Sequence, residues 1–393
     1  MRPLKNIYEY ITPTELENIK EFSKGKSSPF WIIDLKKVGE NYDELQKNLP
    51  VAKIYYAVKA NPSDEVLRVL AQRGSYFDVA SVYEVDQLLA LGISPERMSY
   101  GNTIKKDKEI KYAYEKGIRL FATDSVSDVE SLAKEAPNSK IIFRLLLGGS
   151  SSADWPLSKK FGAHQGMVYE LVIKAKELGL IPHGLCFHVG SQQRDVGQWD
   201  TALGQCSHIF NDLKKVGIEL KMIDIGGGLP AKYVNPAQDL EEYTEVIKKY
   251  LKEEFSDIPE IIIEPGRSIV GDCGIMVAEV VNVAKKSTHS ATSWVFLDVG
   301  KFRGLIETID ESIKYPIFLE RYLEKKADEY VECILAGPSC DSMDIMYEND
   351  KCKLPADISK GDRVYILTTG AYTYSYTSVC FNGFPPPSIY YIN

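Results

Sequence analysis

Between residues 53 and 266, short apolar and β-branched runs alternate with stretches whose apolar positions recur every three or four residues. This alternation predicts a parallel sheet joined by crossover helices. The apolar runs are Lys53–Lys59, Tyr76–Ser81, Met98–Asn102, Leu120–Asp124, Lys140–Leu147, Gly184–Gly190, Met222–Gly226 and Glu260–Glu264. The amphipathic stretches are Glu65–Gln72, Glu84–Leu91, Asp107–Glu115, Asp128–Ala136, Met167–Leu178, Thr201–Lys215 and Leu240–Phe255. Strands and helices alternating in this way over about 210 residues predict a closed (β/α)8 barrel, whose usual length is about 250 residues. An open doubly wound sheet would place a glycine-rich turn after its first strand. Here the first strand runs into Lys59-Ala60-Asn61-Pro62 instead.

Beyond residue 270 the texture changes to strand-like segments separated by Gly, Pro and Asp: Ile275–Val283, Ser293–Leu297, Tyr330–Leu335, Asp362–Leu367 and Ile389–Ile392. These predict an all-β domain, and the early run Phe30-Trp31-Ile32-Ile33, which precedes the barrel, is expected to join it. The division that follows is a barrel over 34–270 and a β-domain made of 1–33 and 271–393. Leu147–Asp154, rich in Gly and Ser, reads as a mobile loop on the catalytic face.

The chain of 393 residues is 44% hydrophobic, enough for a large core, and carries a net charge of -8. That charge and a pI near 5.4 argue against a nucleic-acid or anionic-membrane surface and suit a cationic small substrate. Seven cysteines are scattered without a C-x-x-C pair, which fits reduced thiols. No apolar stretch approaches the ~18 residues of a membrane span, and no apolar leader follows Met1. A soluble, cytoplasmic protein is expected.

In a barrel of this kind chemistry sits at the C-terminal ends of the strands, and phosphate sites are built after strands seven and eight. Lys59 stands at the end of the first strand, where an apolar run supplies the desolvation that turns an amine into a nucleophile able to form an imine; a snorkelling side chain is the bland alternative. After strand seven comes Gly226-Gly227-Gly228, whose backbone N–H groups can approach an anion. After strand eight comes Glu264-Pro265-Gly266-Arg267, which sets a guanidinium beside the same place. Strand six ends in His188-Val189-Gly190-Ser191, offering a ring to stack on a planar cofactor, or a satisfied core histidine, and a hydroxyl for phosphate. No Cys/His ligand spacing is present, and no metal is expected. A lysine, a phosphate site, a stackable histidine and the strand-end carboxylate Glu264 describe pyridoxal 5'-phosphate, because a carboxylate at the pyridine nitrogen keeps the ring an electron sink.

The segments YYAVKANP, FDVAS, FHVGSQ, DIGGG, EPGR, AGPSCDSMD and GAYTYSYTSVCFNGF span nearly the whole chain in this order. They resemble the fold type III pyridoxal-phosphate decarboxylases of ornithine, lysine, arginine and diaminopimelate, the ornithine/lysine branch most of all. The resemblance implies an alanine-racemase-like barrel followed by a β-domain, in a head-to-tail homodimer with two shared active sites. It makes Lys59 the lysine that carries the cofactor, His188 the residue stacked on its ring and Glu264 the partner of the pyridine nitrogen. Ser191, Gly226, Gly227, Gly228, Gly266, Arg267 and Tyr372 would hold the phosphate, and Asp78, Glu84 and Arg144 would support the lysine and ring. Cys340 would reach the partner's site and protonate the α-carbon after CO2 leaves, with Asp341 meeting the distal ammonium of the substrate. Asp298, Asp344, Tyr372 and Phe381 are the further candidates for the substrate pocket.

Two departures from that pattern bear on specificity. Ornithine decarboxylases carry Asn-Asp-Gly where this chain reads Leu297-Asp298-Val299-Gly300, so the second acid is displaced by one position, as in bacterial lysine/ornithine enzymes. The segment from Tyr372 to Phe381 also has one residue more than the animal enzymes. The expected activity is decarboxylation of a basic L-amino acid, ornithine to putrescine or lysine to cadaverine, in polyamine biosynthesis. Decarboxylation of diaminopimelate would want an arginine where Asp341 stands. A non-catalytic polyamine-regulatory homologue would have lost cofactor residues, which are all present here.

Overall fold

The computed structural model describes residues 5–148, 152–156, 159–378, 382 and 386–393. The chain divides into two compact units, one of Val38–Pro230 and Gln238–Ser268, the other of Met1–Lys37, Ala231–Ala237 and Ile269–Asn393.

The first unit is a closed parallel barrel. Its strands, first to eighth, are Ala52–Ala57, Tyr76–Val79, Met98–Tyr100, Leu120–Thr123, Lys140–Arg144, Ile181–Cys186, Met222–Asp224 and Glu260–Ile263. The ring closes where the first strand pairs with the eighth, Ile54 opposite Ile263, and the sixth with the seventh, Cys186 opposite Asp224. Tyr55, Leu120, Ile142, Cys186, Met222 and Ile262 form one buried cluster although they come from strands around the whole ring. Only the barrel interior lets such strands meet, and burial on both faces is why these strands read as continuous apolar runs. Serine caps set the helices: Ser81 accepts from Glu84 N at 3.4 Å and Ser125 from Asp128 N at 3.4 Å.

The apolar runs extend past several observed strand ends. Val58–Ala60 leaves the sheet as one 3-10 turn, and the sixth strand stops at Cys186, four residues before Gly190, which takes φ +103. Val58, Ala60, Phe187 and Val189 stay apolar because they remain buried, while the backbone turns there to form the strand-end loops and leaves Lys59 exposed. Within the segment read as a mobile loop, Leu147–Asp154, residues 149–151 lie outside the described residues. Its far end is ordered sheet: Ala153–Trp155 pairs antiparallel with Ser191–Gln193, Trp155 opposite Ser191.

The second unit is built on an eight-stranded sheet. Phe30–Asp34 does join it, pairing antiparallel with Gly274–Ala284 and parallel with Ser388–Ile392. The unit is mostly, rather than entirely, sheet. Helix Pro13–Ser23, capped by Thr12, buries Leu16 and Ile19 in a cluster with Phe30, Ile32 and Val277. Ala231–Ala237, which lies inside the barrel range in sequence, belongs here: Val234 N donates to Lys314 O at 3.0 Å and Thr368 Oγ1 to Lys232 O at 2.8 Å. The β-unit therefore draws on three stretches of chain, where the sequence pattern led to two. Strands Ile317–Leu319 and Ile345–Pro355 complete the sheet and were not evident in the sequence pattern.

Candidate active site

At the C-terminal end of the barrel the first and second strands bring a cation and a carboxyl together. Lys59, in the turn Val58–Ala60, places Nζ 3.8 Å from Asp78 Oδ2. Asp78 is buried, and the Ser99 hydroxyl lies 3.5 Å from its Oδ1. Gly101 packs so close that a side chain there would overlap this carboxyl. Burial first, then the Glu264 charge, push the Asp78 pKa up to about 8, against the pull of Lys59 and Arg144. Glu84, in the first turn of helix Val82–Ala90, accepts from Ala80 N at 2.6 Å and is raised to about 7, chiefly by burial. Arg144 ends the fifth strand, with its guanidinium 4.8 Å from the centre of the Phe161 ring.

The sixth to eighth strands supply the opposite side. His188 Nδ1 accepts from Gly190 N at 2.9 Å, which leaves that nitrogen without a proton. Burial, then Arg144 and Lys59, lower the imidazole to about 3, so the ring is neutral across the working range. Gly226 and Gly228 take φ +65 and +107, and a Cβ on Gly226 would sit 2.2 Å from Phe187 O. Only glycine permits this turn to lie so close to the exit of the sixth strand. Asp224, which ends the seventh strand, accepts from Gly226 N at 2.9 Å and is hydrogen-bonded to Glu264. Burial raises both carboxyls, and their mutual bond favours the proton on Glu264, whose pKa lies at about 8, over Asp224 at about 7. Arg267 is buried and donates to Ser191 Oγ from Nε and from Nη2, both at 3.1 Å. Pro265 O accepts from Ala57 N at 3.0 Å, tying the exits of strands one and eight; Gly266 separates that tie from Arg267.

Every barrel residue anticipated from the sequence thus lies on strand-end segments of one face. Asp224 was not anticipated. The signal available was its place at a strand end, before the glycines of Asp-Ile-Gly-Gly-Gly, but its bond to Glu264 is visible only in three dimensions.

The remaining candidates lie in the β-unit. Cys340 and Asp341 are exposed there. Cys340 N donates to Asn382 Oδ1 at 3.3 Å and Asn382 Nδ2 to Cys340 Sγ at 3.4 Å, a partner the sequence did not suggest. Asp341 Oδ1 accepts from Met343 N at 2.8 Å. Asp298 is partly buried and accepts from Glu279 N at 2.9 Å, with burial raising its pKa. Asp344, the further acidic candidate, braces loops of its own unit. Its buried carboxylate accepts from Lys301 N at 2.8 Å, Ser339 N at 3.1 Å and Ser339 Oγ at 2.7 Å, clamped against Gly300 and Gly337. Tyr372 takes φ +54 with its ring 6.1 Å from that of Tyr376. Phe381 lies outside the described residues.

The family model for the pyridoxal-binding domain of pyridoxal-dependent decarboxylases matches residues 35–271. The chain belongs to the pyridoxal-dependent decarboxylases. Its cofactor is pyridoxal 5'-phosphate. A lysine/ornithine decarboxylase of Selenomonas ruminantium is 33% identical over 94% of this chain and 90% of its own. A lysine/ornithine decarboxylase of Vibrio vulnificus, solved with cadaverine, superposes with a TM-score of 0.86 at 27% identity over 98% of this chain and all of that one. The arginine decarboxylase of Paramecium bursaria Chlorella virus, solved with agmatine, gives 0.87 at 27% identity over 97% of this chain and all of that one.

The residues present fit that cofactor. Among the described residues nothing accepts from the N–H of Gly227, which is buried, or of Gly228, and a buried unpaired N–H is the mark of an anion site. The Arg267 guanidinium, the Lys59 amine, the neutral His188 ring and the Glu264 carboxyl complete the set. Among the described residues no group of three or more His, Cys, Asp or Glu could hold a metal, and no helix is long and apolar enough to cross a membrane.

The Asp78 carboxyl carries a pH signature. Its folded pKa of about 8 lies above the unfolded value of 3.8, so between these values the folded chain holds a proton that the unfolded chain has lost. Stability from this group is therefore full below 3.8 and is lost as pH rises through 8. Near neutral pH, Asp78→Asn should flatten the decline in urea-unfolding free energy of the cofactor-stripped protein by about 1 kcal/mol per pH unit. Parallel slopes for wild type and variant would contradict the assignment.

Proposed function

We propose that the protein removes the α-carboxyl group of ornithine and lysine, giving putrescine and cadaverine for polyamine biosynthesis in the cytoplasm, as a homodimer whose β-units complete each other's sites. The observation that carries this reading is the convergence of Lys59, Asp78, Glu264 and the Gly226–Gly228 turn with Arg267 on one face of the barrel. The names of the relatives and of the bound products support the substrate class.

Pyridoxal phosphate, when bound, supplies a protonated pyridine ring that takes up the electron pair left as CO2 departs. The chain's own residues then divide the work. Lys59 is the attachment amine, with the Asp78 carboxyl 3.8 Å from its Nζ. Glu264, sharing a proton with Asp224, holds that proton for the pyridine nitrogen. His188 presents a neutral ring face, which packs against an aromatic plane without adding a cation. Ser191, Gly226 to Gly228, Gly266, Arg267 and Tyr372 receive the phosphate, while Arg144 offsets the buried carboxyls. From the partner subunit, Cys340 returns a proton to the α-carbon, and Asp341 with Asp298 meets the distal ammonium. Tyr372 and Phe381 flank the substrate. A distal carboxylate would meet Asp341 with the wrong sign, which disfavours diaminopimelate. One methylene is worth only about 1–3 kcal/mol in a pocket, so ornithine and lysine should both turn over.

CO2 release from ornithine, lysine, arginine and diaminopimelate tests the substrate class. Ornithine and lysine should be preferred, and Asp341→Ala should lower their kcat/KM by about tenfold or more, because the distal ammonium loses its carboxylate. A preference for diaminopimelate, or wild-type rates in Asp341→Ala, would contradict the cationic pocket.

Subunit mixing tests the shared site. Lys59→Ala and Cys340→Ala proteins should each be inactive. After exchange, half of the dimers are mixed and each has one intact site, so about a quarter of wild-type activity should return. No recovery under conditions shown to exchange subunits would place each site within one chain.

A further inference from the structure

Gln193 closes the short strand Ser191–Gln193 and is buried. It ties separate segments of the barrel unit together. Its Oε1 accepts from Ser152 Oγ at 2.6 Å and from Asp195 N at 3.0 Å, and its Nε2 donates to Val189 O at 2.7 Å. Its backbone N donates to Gly228 O at 2.9 Å, and its carbonyl accepts from the Tyr243 hydroxyl at 2.8 Å. The next residue reinforces the link, because Arg194 pairs with Asp154 at 2.6 Å.

One of these partners belongs to the anion site itself and another adjoins it. Val189 lies between His188 and Gly190, and Gly228 is the last glycine of the turn. A buried amide bonded at both ends fixes its neighbours, because any shift strands a polar group away from water. Ser152 lies on the far side, in the segment that follows the fifth barrel strand. We infer that Gln193 is a positioning residue for the cofactor phosphate: it holds Gly228 and the His188–Gly190 exit in register, and through Ser152 it makes that register depend on the segment after the fifth strand. The inference rests on the proposed phosphate role of the Gly226–Gly228 turn and Arg267. Thermodynamic linkage makes the dependence reciprocal, so cofactor binding also steadies the Ser152 segment.

The test measures the dissociation constant of pyridoxal 5'-phosphate and the 31P resonance of the bound cofactor in four variants of the full chain. Gln193→Met keeps the length of the side chain and removes its polar ends. Ser152→Ala removes only the hydroxyl. Ile142→Ala weakens the barrel core away from the turn and serves as the control for general loss of stability, while Arg267→Ala tests the phosphate site itself. Gln193→Met should weaken cofactor binding by about tenfold or more, the scale typical of groups that orient a binding shell, and should shift the 31P resonance. Ser152→Ala should weaken binding about threefold, a smaller step in the same linkage, and it carries the test if Gln193→Met does not fold. Ile142→Ala should leave the 31P resonance in place. A Gln193→Met affinity and resonance no more altered than those of Ile142→Ala, or wild-type affinity in Ser152→Ala, would overturn the inference while Arg267→Ala still loosened the cofactor. Wild-type affinity in Arg267→Ala would overturn the phosphate site and this inference with it.

Discussion

Three carboxyl groups, Asp78, Asp224 and Glu264, are gathered at the open end of this barrel, and the rest of the site is arranged around them. Asp78 and Asp224 are buried and Glu264 is half-buried, facing the half-buried Arg144 and the more exposed Lys59. In such surroundings an ionised carboxyl is costly unless a cation or donor answers it. Proton retention relieves part of the cost, which is why these carboxyls are held well above their ordinary range. Burial, aided by Arg144 and Lys59, keeps His188 neutral, and Glu264 and Asp224 hold a proton between them. In the function proposed above, that retained proton serves the pyridine nitrogen.

The barrel accounts for how these groups meet. Parallel strands end together at one face, so residues more than 200 positions apart, such as Lys59 and Glu264, become neighbours without any long connection. The turn after strand seven can approach the exit of strand six only through glycine, and that approach leaves buried N–H groups for an anion. The β-unit is organised differently. Asp344 braces the loops at Gly300 and Gly337, so Cys340 and Asp341 sit on a fixed yet exposed edge.

Much of the barrel was legible in the sequence because strands buried on both faces are written as apolar runs. Their ends were less so: Val58 and Phe187 remain buried after the backbone has left the sheet, and burial is what the pattern records. The strand Ile345–Pro355 was missed because it lies at the edge of its sheet, where Glu348-Asn349-Asp350-Lys351 interrupts the apolar alternation. Lys59, His188, Glu264 and Arg267 were legible as candidates because each stands at or just after the end of a strand run. Asp224 and Gln193 were not, since their significance lies in hydrogen bonds between segments. Asp344 was legible as an acid but not as a brace, since Lys301 N, Ser339 N and Ser339 Oγ reach its carboxylate only in the folded unit.

The retained proton can be observed directly. Infrared spectroscopy of the protein at neutral pH should show a protonated-carboxyl stretch that Glu264→Gln removes and that wild type loses only as pH rises through about 8. A spectrum with no protonated carboxyl at neutral pH, or one unchanged in Glu264→Gln, would contradict the claim that burial stores a proton at this end of the barrel.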